Sequence, residues 1–248
     1  MRRIFVTLGL AVLFASVLVP AASASHSWGN YHWARTANPF TLLVGDKVSS
    51  EWDGYLRTAS SDWSADTAGN PLNTTVTVAA GKGKCGSTSG RIEVCSGAYG
   101  NNGWLGLAQI WVSGGSHITR GSAKVNDTYY RLPKYDTPAW RAGVMCQEIG
   151  HTFGLDHQDE SGADFHTCMD YADNPDADNM HPNRHDYEQL AAIYSHLDST
   201  TTIGASAANA GRSPRLVAVY RESDRKTSTV VRRYSDGSKQ ITVKILAR

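Results

Sequence analysis

Apolar residues recur at helical spacing at Val48, Trp52, Leu56, Ala59 and Trp63, which predicts an amphipathic helix over residues 47–63 despite Gly54. Just before it, Phe40 to Val44 reads as a strand. Thr74 to Ala79 alternates with Val76 and Val78 on one face, as a half-buried strand does. Arg91 to Cys95 and the apolar run Trp104 to Val112 read as further strands, and after Gly114-Gly115 another extended piece begins at Ile118. Thr137-Pro138 supplies a cap and a first helical residue, so a helix is expected from Pro138 to about Phe153, ending at Gly154. Tyr187, Leu190, Ala191, Tyr194 and Leu197 mark a second amphipathic helix capped by Asn183. Residues 199–213 are small and polar and read as a linker. Beyond them, Ser228 to Tyr234 and Lys239 to Leu246 flank Ser235-Asp236-Gly237-Ser238, a hairpin pattern.

Composition narrows the class. A chain of 248 residues that is 41% hydrophobic can bury a core and is not disordered, and its 23 glycines have no collagen period. The first 24 residues have the anatomy of a secretory signal peptide: Arg2 and Arg3, an apolar run from Ile4 to Val19, then Ala22-Ser23-Ala24. That run is shorter than the roughly 20 residues a spanning helix needs, so cleavage after Ala24 and a secreted, extracellular protein without a membrane span are expected. The even cysteine count then reads as two disulfides with three possible connectivities. Pairing by neighbourhood gives Cys85–Cys95 and Cys146–Cys168; a thiolate zinc site lacks any C-x-x-C pair.

The net charge of +1 gives no general case for nucleic acid, yet it conceals two opposed parts. Residues 25–211 carry 12 basic and 20 acidic side chains, whereas residues 212–248 carry 10 basic and 3 acidic ones. The basic tail is expected to dock on the acidic part, to bind an acidic cell-envelope polymer, or to stand as a solvated hairpin.

The chemistry concentrates in Gln147-Glu148-Ile149-Gly150-His151-Thr152-Phe153-Gly154-Leu155-Asp156-His157. On a helix, residues 147 and 151 share a face, with Glu148 beside them. Gly154 can turn the chain so that His157 comes back toward His151, giving two imidazoles and a carboxylate of the kind that suits zinc. This segment resembles the metzincin signature H-E-x-x-H-x-x-G-x-x-H, and His151 to His157 is especially similar to matrixin-type metallopeptidases. Cys168-Met169-Asp170-Tyr171 resembles that family's Met-turn. The resemblance implies an α+β fold: a twisted mixed β-sheet, an active-site helix, a Met-turn and a C-terminal helix over residues 25–198. The linker 199–213 and a small basic β-hairpin or tail, 214–248, follow. It also implies a zinc-dependent endopeptidase acting on a peptide or protein substrate, with His151 and His157 as metal ligands, Glu148 as general base and Met169 beneath them. A monomer is expected, with substrate lying along an edge strand such as Trp104 to Val112. If helix and Met-turn touch, Cys146 and Cys168 are placed to bridge them.

The family's first histidine is Gln147 here. Its neutral carbonyl oxygen is a poorer zinc donor than imidazole, so affinity falls while the metal keeps its Lewis acidity. Three readings stand: Gln147 is the third ligand, Asp164 or His166 replaces it, or the site has lost metal and the chain is a catalytically silent binding protein. Asp173, Asp176 and Asp178 offer a weak calcium alternative to a solvated loop. His185 and Asp186 read as fold buttresses, and His26, His32, His117, His181 and His196 have no ligating spacing. Asn73 and Asn126 open glycosylation sequons.

Overall fold

A cap, a turn or a glycine sets most element boundaries. The computed structural model describes residues 25–79, 85–159, 163–170, 175–205 and 214–247, so the expected signal segment 1–24 lies outside the described residues. In chain order the elements are β1 (His32–Trp33), β2 (Phe40–Lys47), α1 (Asp53–Trp63), β3 (Leu72–Val78), β4 (Ile92–Gly97), β5 (Trp104–Ser113) and β6 (His117–Asn126). There follow α2 (Asp127–Tyr130), α3 (Pro138–His151), a 3-10 turn (Asp178–Met180), α4 (Arg184–Ile193), β7 (Leu216–Ser223), β8 (Thr227–Tyr234) and β9 (Lys239–Leu246).

The first helix starts later than its apolar spacing implies. Asp46 Oδ1 accepts from Val48 N at 3.1 Å and Ser49 N donates to Ser96 Oγ at 2.8 Å, which fixes a turn where the pattern predicts helix. Val48 and Trp52 are still fully buried, because the turn presents them to the same core. The other caps act as expected. Thr137 accepts from Trp140 N at 3.2 Å with Pro138 at the first helical position, and Asn183 with Asp186 forms a reciprocal capping box. Asn126 is spent in the same way: fully buried, its amide donates to Gly100 O and Trp104 O, so that sequon serves the fold.

Among the described residues all nine strands join one mixed sheet in the order β3-β2-β4-β6-β5-β9-β8-β7, with β1 beside the start of β6. One half is parallel (β3, β2, β4, β6) and the other antiparallel (β6, β5, β9, β8, β7). α1 and α3 pack against each other, and α3 lies against β5 and β6. Trp33, Trp52, Trp63, Leu105, Ile149 and Phe153 are fully buried in the core this creates.

The basic tail departs from expectation in two ways. The expected hairpin forms as β8–β9, but β7, a mostly exposed strand whose sequence does not alternate, extends it into a three-stranded meander. It is also part of the central sheet, since β9 pairs with β5 from Lys239–Val112 to Leu246–Trp104. The expected linker is partly fixed: Thr202 N donates to Ala34 O and Gly204 N to Gly90 O, while residues 206–213 lie outside the described residues.

Both disulfides have the expected pairing, Cys85–Cys95 and Cys146–Cys168, with Cα atoms 5.8 and 5.9 Å apart. The second ties α3 to the loop carrying Met169. Replacing both Cys146 and Cys168 by Ala is expected to lower stability by about 3 kcal/mol, read from the urea midpoint, because a bridge of separation 22 is lost.

Candidate metal centre

α3 ends at His151, and the chain continues through Thr152 and Phe153 to Gly154, whose φ of 97° reverses its direction. The reversal brings His157 back over the helix end, as its spacing predicts. His151 Nδ1–H donates to Leu155 O at 2.9 Å, which leaves Nε2 as a bare lone pair on the neutral ring. That Nε2 faces His157 Nε2 at 3.1 Å, the rings standing nearly perpendicular at 78°. Four ligands about 2.0–2.1 Å from a tetrahedral metal are separated by roughly 3.3 Å, so this spacing suits two corners of one coordination shell. Burial first, then the nearby His157, lowers the His151 pKa to about 3 and keeps the imidazole neutral. Asp156 Oδ1 accepts from the His157 backbone N–H at 2.9 Å and lies 3.5 Å from its Nδ1, fixing the second ring.

The N-terminal segment straps this turn down. Asp156 N donates to His26 O at 2.7 Å, Trp28 N donates to Gly154 O at 2.7 Å, and the Trp28 ring lies 5.7 Å from His151. Asp186 anchors the strap through His26 Nε2 at 3.0 Å and also accepts from Thr167 Oγ1, as its buttress role requires.

Glu148 is fully buried, and neither carboxylate oxygen has a hydrogen-bond partner among the described residues. Burial pushes its carboxyl well above the ordinary range. The space it fills exists because Gly106 on β5 has no side chain; a Cβ there would collide with Glu148 Oε1 and Val144. Met169 is also buried, with Sδ 2.6 Å from where a Gly150 Cβ would sit, and so lies under the helix that carries His151. Gln147 Nε2 donates to Asp170 O at 3.0 Å, which leaves its carbonyl oxygen as the only side-chain atom able to bind a cation.

The substitute ligands do not converge on this pair. Asp164 and His166 are exposed and face each other and Asp178, with His166 Nδ1 3.7 Å from both carboxylates. Among the described residues, no third imidazole, thiolate or carboxylate gathers with His151 and His157. Of the weak calcium candidates, Asp176 Oδ1 accepts from Asp178 N at 2.9 Å, and Asp173 lies outside the described residues.

The strand Trp104 to Val112 is not an edge, which corrects the expected substrate track. β6 lies on one side of it and β9 on the other. The β7–β8 turn also reaches the centre. Burial would raise the Asp224 carboxyl, but N–H groups of Thr227 and Lys226 and the nearby His157 pull it below the ordinary range. A cavity beside Gln147 and Asp170 is lined by Trp140 and Val144 of α3 and by Lys226 and Ile245 of the tail. It does not open on His151, His157 or Glu148.

No protein-family model matches the chain, and no curated protein matches it in sequence. The geometry therefore stands by itself. Among the described residues no helix is long and apolar enough to cross a membrane. A second group of convergent side chains, His32, His117 and Asp198, with His196 against it, escapes any sequence pattern. Its members come from three segments brought together only by strand pairing and the end of α4.

Proposed function

We propose that this protein is a secreted zinc-dependent endopeptidase. The observation that carries the reading is the 3.1 Å approach of the two Nε2 atoms of His151 and His157, one ring anchored through Nδ1 on a carbonyl; the same helix carries Glu148, whose buried carboxylate has no hydrogen-bond partner among the described residues. Two imidazole nitrogens would supply two zinc donors, and the Gln147 amide oxygen, on the same helix, would be a weaker third. Zinc, when bound, supplies Lewis acidity that polarises a scissile carbonyl and makes water easier to deprotonate.

The chain's own residues do the rest. Glu148 accepts a proton from the attacking water, whose oxygen adds to the carbonyl carbon. Glu148 then returns that proton to the nitrogen as the carbon–nitrogen bond breaks. Gly106 leaves its carboxylate room, and Asp156 together with Leu155 O holds the two rings. The disulfides and the signal-like first 24 residues support export.

The test is elemental analysis of the mature protein together with a broad peptide-library cleavage assay. Cleavage that persists after complete removal of metal would sink the proposal. Gln147→His is expected to tighten zinc binding by about 10-fold or more, because imidazole replaces a neutral oxygen donor. Competition against a zinc chelator measures this, and unchanged affinity would show that residue 147 is no ligand.

A second reading, a silent binding protein on the same scaffold, is favoured by one feature. β9 covers the flank of β5 where an extended peptide is expected. Activity appearing only in Gln147→His would select this reading over the first.

A further inference from the structure

We propose that His32, His117, His196 and Asp198 form a second metal site, for zinc or a similar divalent transition ion, that clips the N-terminal strap to the sheet. It shares no residue with the centre at His151 and His157 and does not depend on it.

The fold brings the ligands together from three places. His32 opens β1 and pairs in register with His117, the first residue of β6. His196 and Asp198 follow α4 and lie over that pair. His117 Nε2 is 3.1 Å and His32 Nε2 3.4 Å from Asp198 Oδ1, while His196 Nε2 is 3.2 Å from His32 Nε2 and 3.8 Å from Asp198 Oδ1. A tetrahedral shell with ligands at about 2.0–2.1 Å has edges of roughly 3.3 Å, and these four separations bracket that length.

His32 Nδ1–H donates to Asn30 O at 2.9 Å, which turns Nε2 toward Asp198 Oδ1. The same oxygen is approached by two further imidazoles, so three ring nitrogens gather on one carboxylate oxygen. A cation held between them would take these atoms as ligands.

The outer partners are those a ligated metal needs. Asp198 Oδ2 accepts from Arg35 N at 3.1 Å and Nη1 at 3.3 Å, which aims Oδ1 at the imidazoles. Arg35 is itself buried, and its Nη2 donates to Tyr194 O at 2.7 Å and to His196 O. The His32 and Asp198 side chains are 7% and 10% exposed, against 30% for His117 and 49% for His196, so an ion enters from the His117–His196 side. His32, His117 and Asp198 present mutually close donors and His196 lies against His32; with all four engaged no position would stay open, which assigns a structural role. The clip holds the segment that runs back through Trp28 to cover His151.

The test uses untagged mature protein, stripped with a chelator and then loaded with zinc or cobalt. His151→Ala/His157→Ala is expected to keep one equivalent of zinc, to show the intense visible band of four-coordinate cobalt, and to melt lower when chelator is added. Adding His117→Ala/His196→Ala removes the equivalent, the band and the chelator-dependent shift. A His151→Ala/His157→Ala protein that binds no metal overturns the proposal, as does an equivalent that survives all four changes. Should the fourfold variant fail to fold, the half-exposed His196→Ala alone decides: zinc affinity falls at least about 10-fold, and unchanged affinity overturns the site. Wild-type protein with a single equivalent, lost on His117→Ala/His196→Ala, would instead sink the centre at His151 and leave this one standing.

Discussion

Glu148→Gln is expected to reduce peptide cleavage by about 10²–10⁴-fold while the zinc content stays unchanged. The size follows from the proposed role of Glu148 as the group that takes and returns the proton. The specificity of the experiment follows from the packing. Among the described residues neither oxygen of Glu148 holds a hydrogen bond that the amide would lose, and the amide fills the same gap left by Gly106. Burying a neutral amide is also less costly than burying a carboxylate, so the fold should be as stable or slightly more so. Peptide cleavage rates and metal content are the two readouts. Wild-type cleavage in this variant would remove Glu148 from the mechanism.

Gly154→Ala should be the most destabilising small change near the centre, costing about 2–5 kcal/mol from backbone strain and steric conflict together. Its φ of 97° disfavours any residue with a Cβ, and that Cβ would strike the carbonyl of Tyr31. Both colliding parts are backbone. The strap at Trp28 and the turn at Gly154 are hydrogen-bonded to each other, so neither can yield without loosening His157. Urea unfolding followed by tryptophan fluorescence measures the loss. A change below about 1 kcal/mol would mean that the strap moves aside freely.

Much of the fold is legible because local signals agree with tertiary ones. Thr137-Pro138 and Asn183 start α3 and α4 where they should, and the apolar run in β5 is a buried strand, whereas β3 begins at Leu72 and leaves Val78 exposed, so its alternation does not mark a buried face. The turn before α1 was hidden because Val48 and Trp52 are core residues at helical spacing in a segment that an aspartate side chain holds in another shape. β7 was hidden because an exposed strand has no apolar face to alternate. At the candidate centre, His151, Gly154 and His157 are close in sequence, so their convergence could be read directly. The cluster of His32, His117, His196 and Asp198 could not be, since its geometry is made by a β1–β6 register that no local spacing encodes.

The pairing of β5 with β9 constrains the order in which this chain can fold. β5 is flanked by β6 as soon as residue 126 is made, yet its other side stays open until Lys239–Leu246 has emerged much later in synthesis. Until then a strand rich in buried apolar residues presents unpaired backbone groups, which is an invitation to aggregate. The contact also spans more than half the chain, which makes its closure slow relative to the local hairpins. β9 thus acts as a seal: chains stopped before residue 239 keep an adhesive flank on β5, whereas chains that have reached residue 246 can close it.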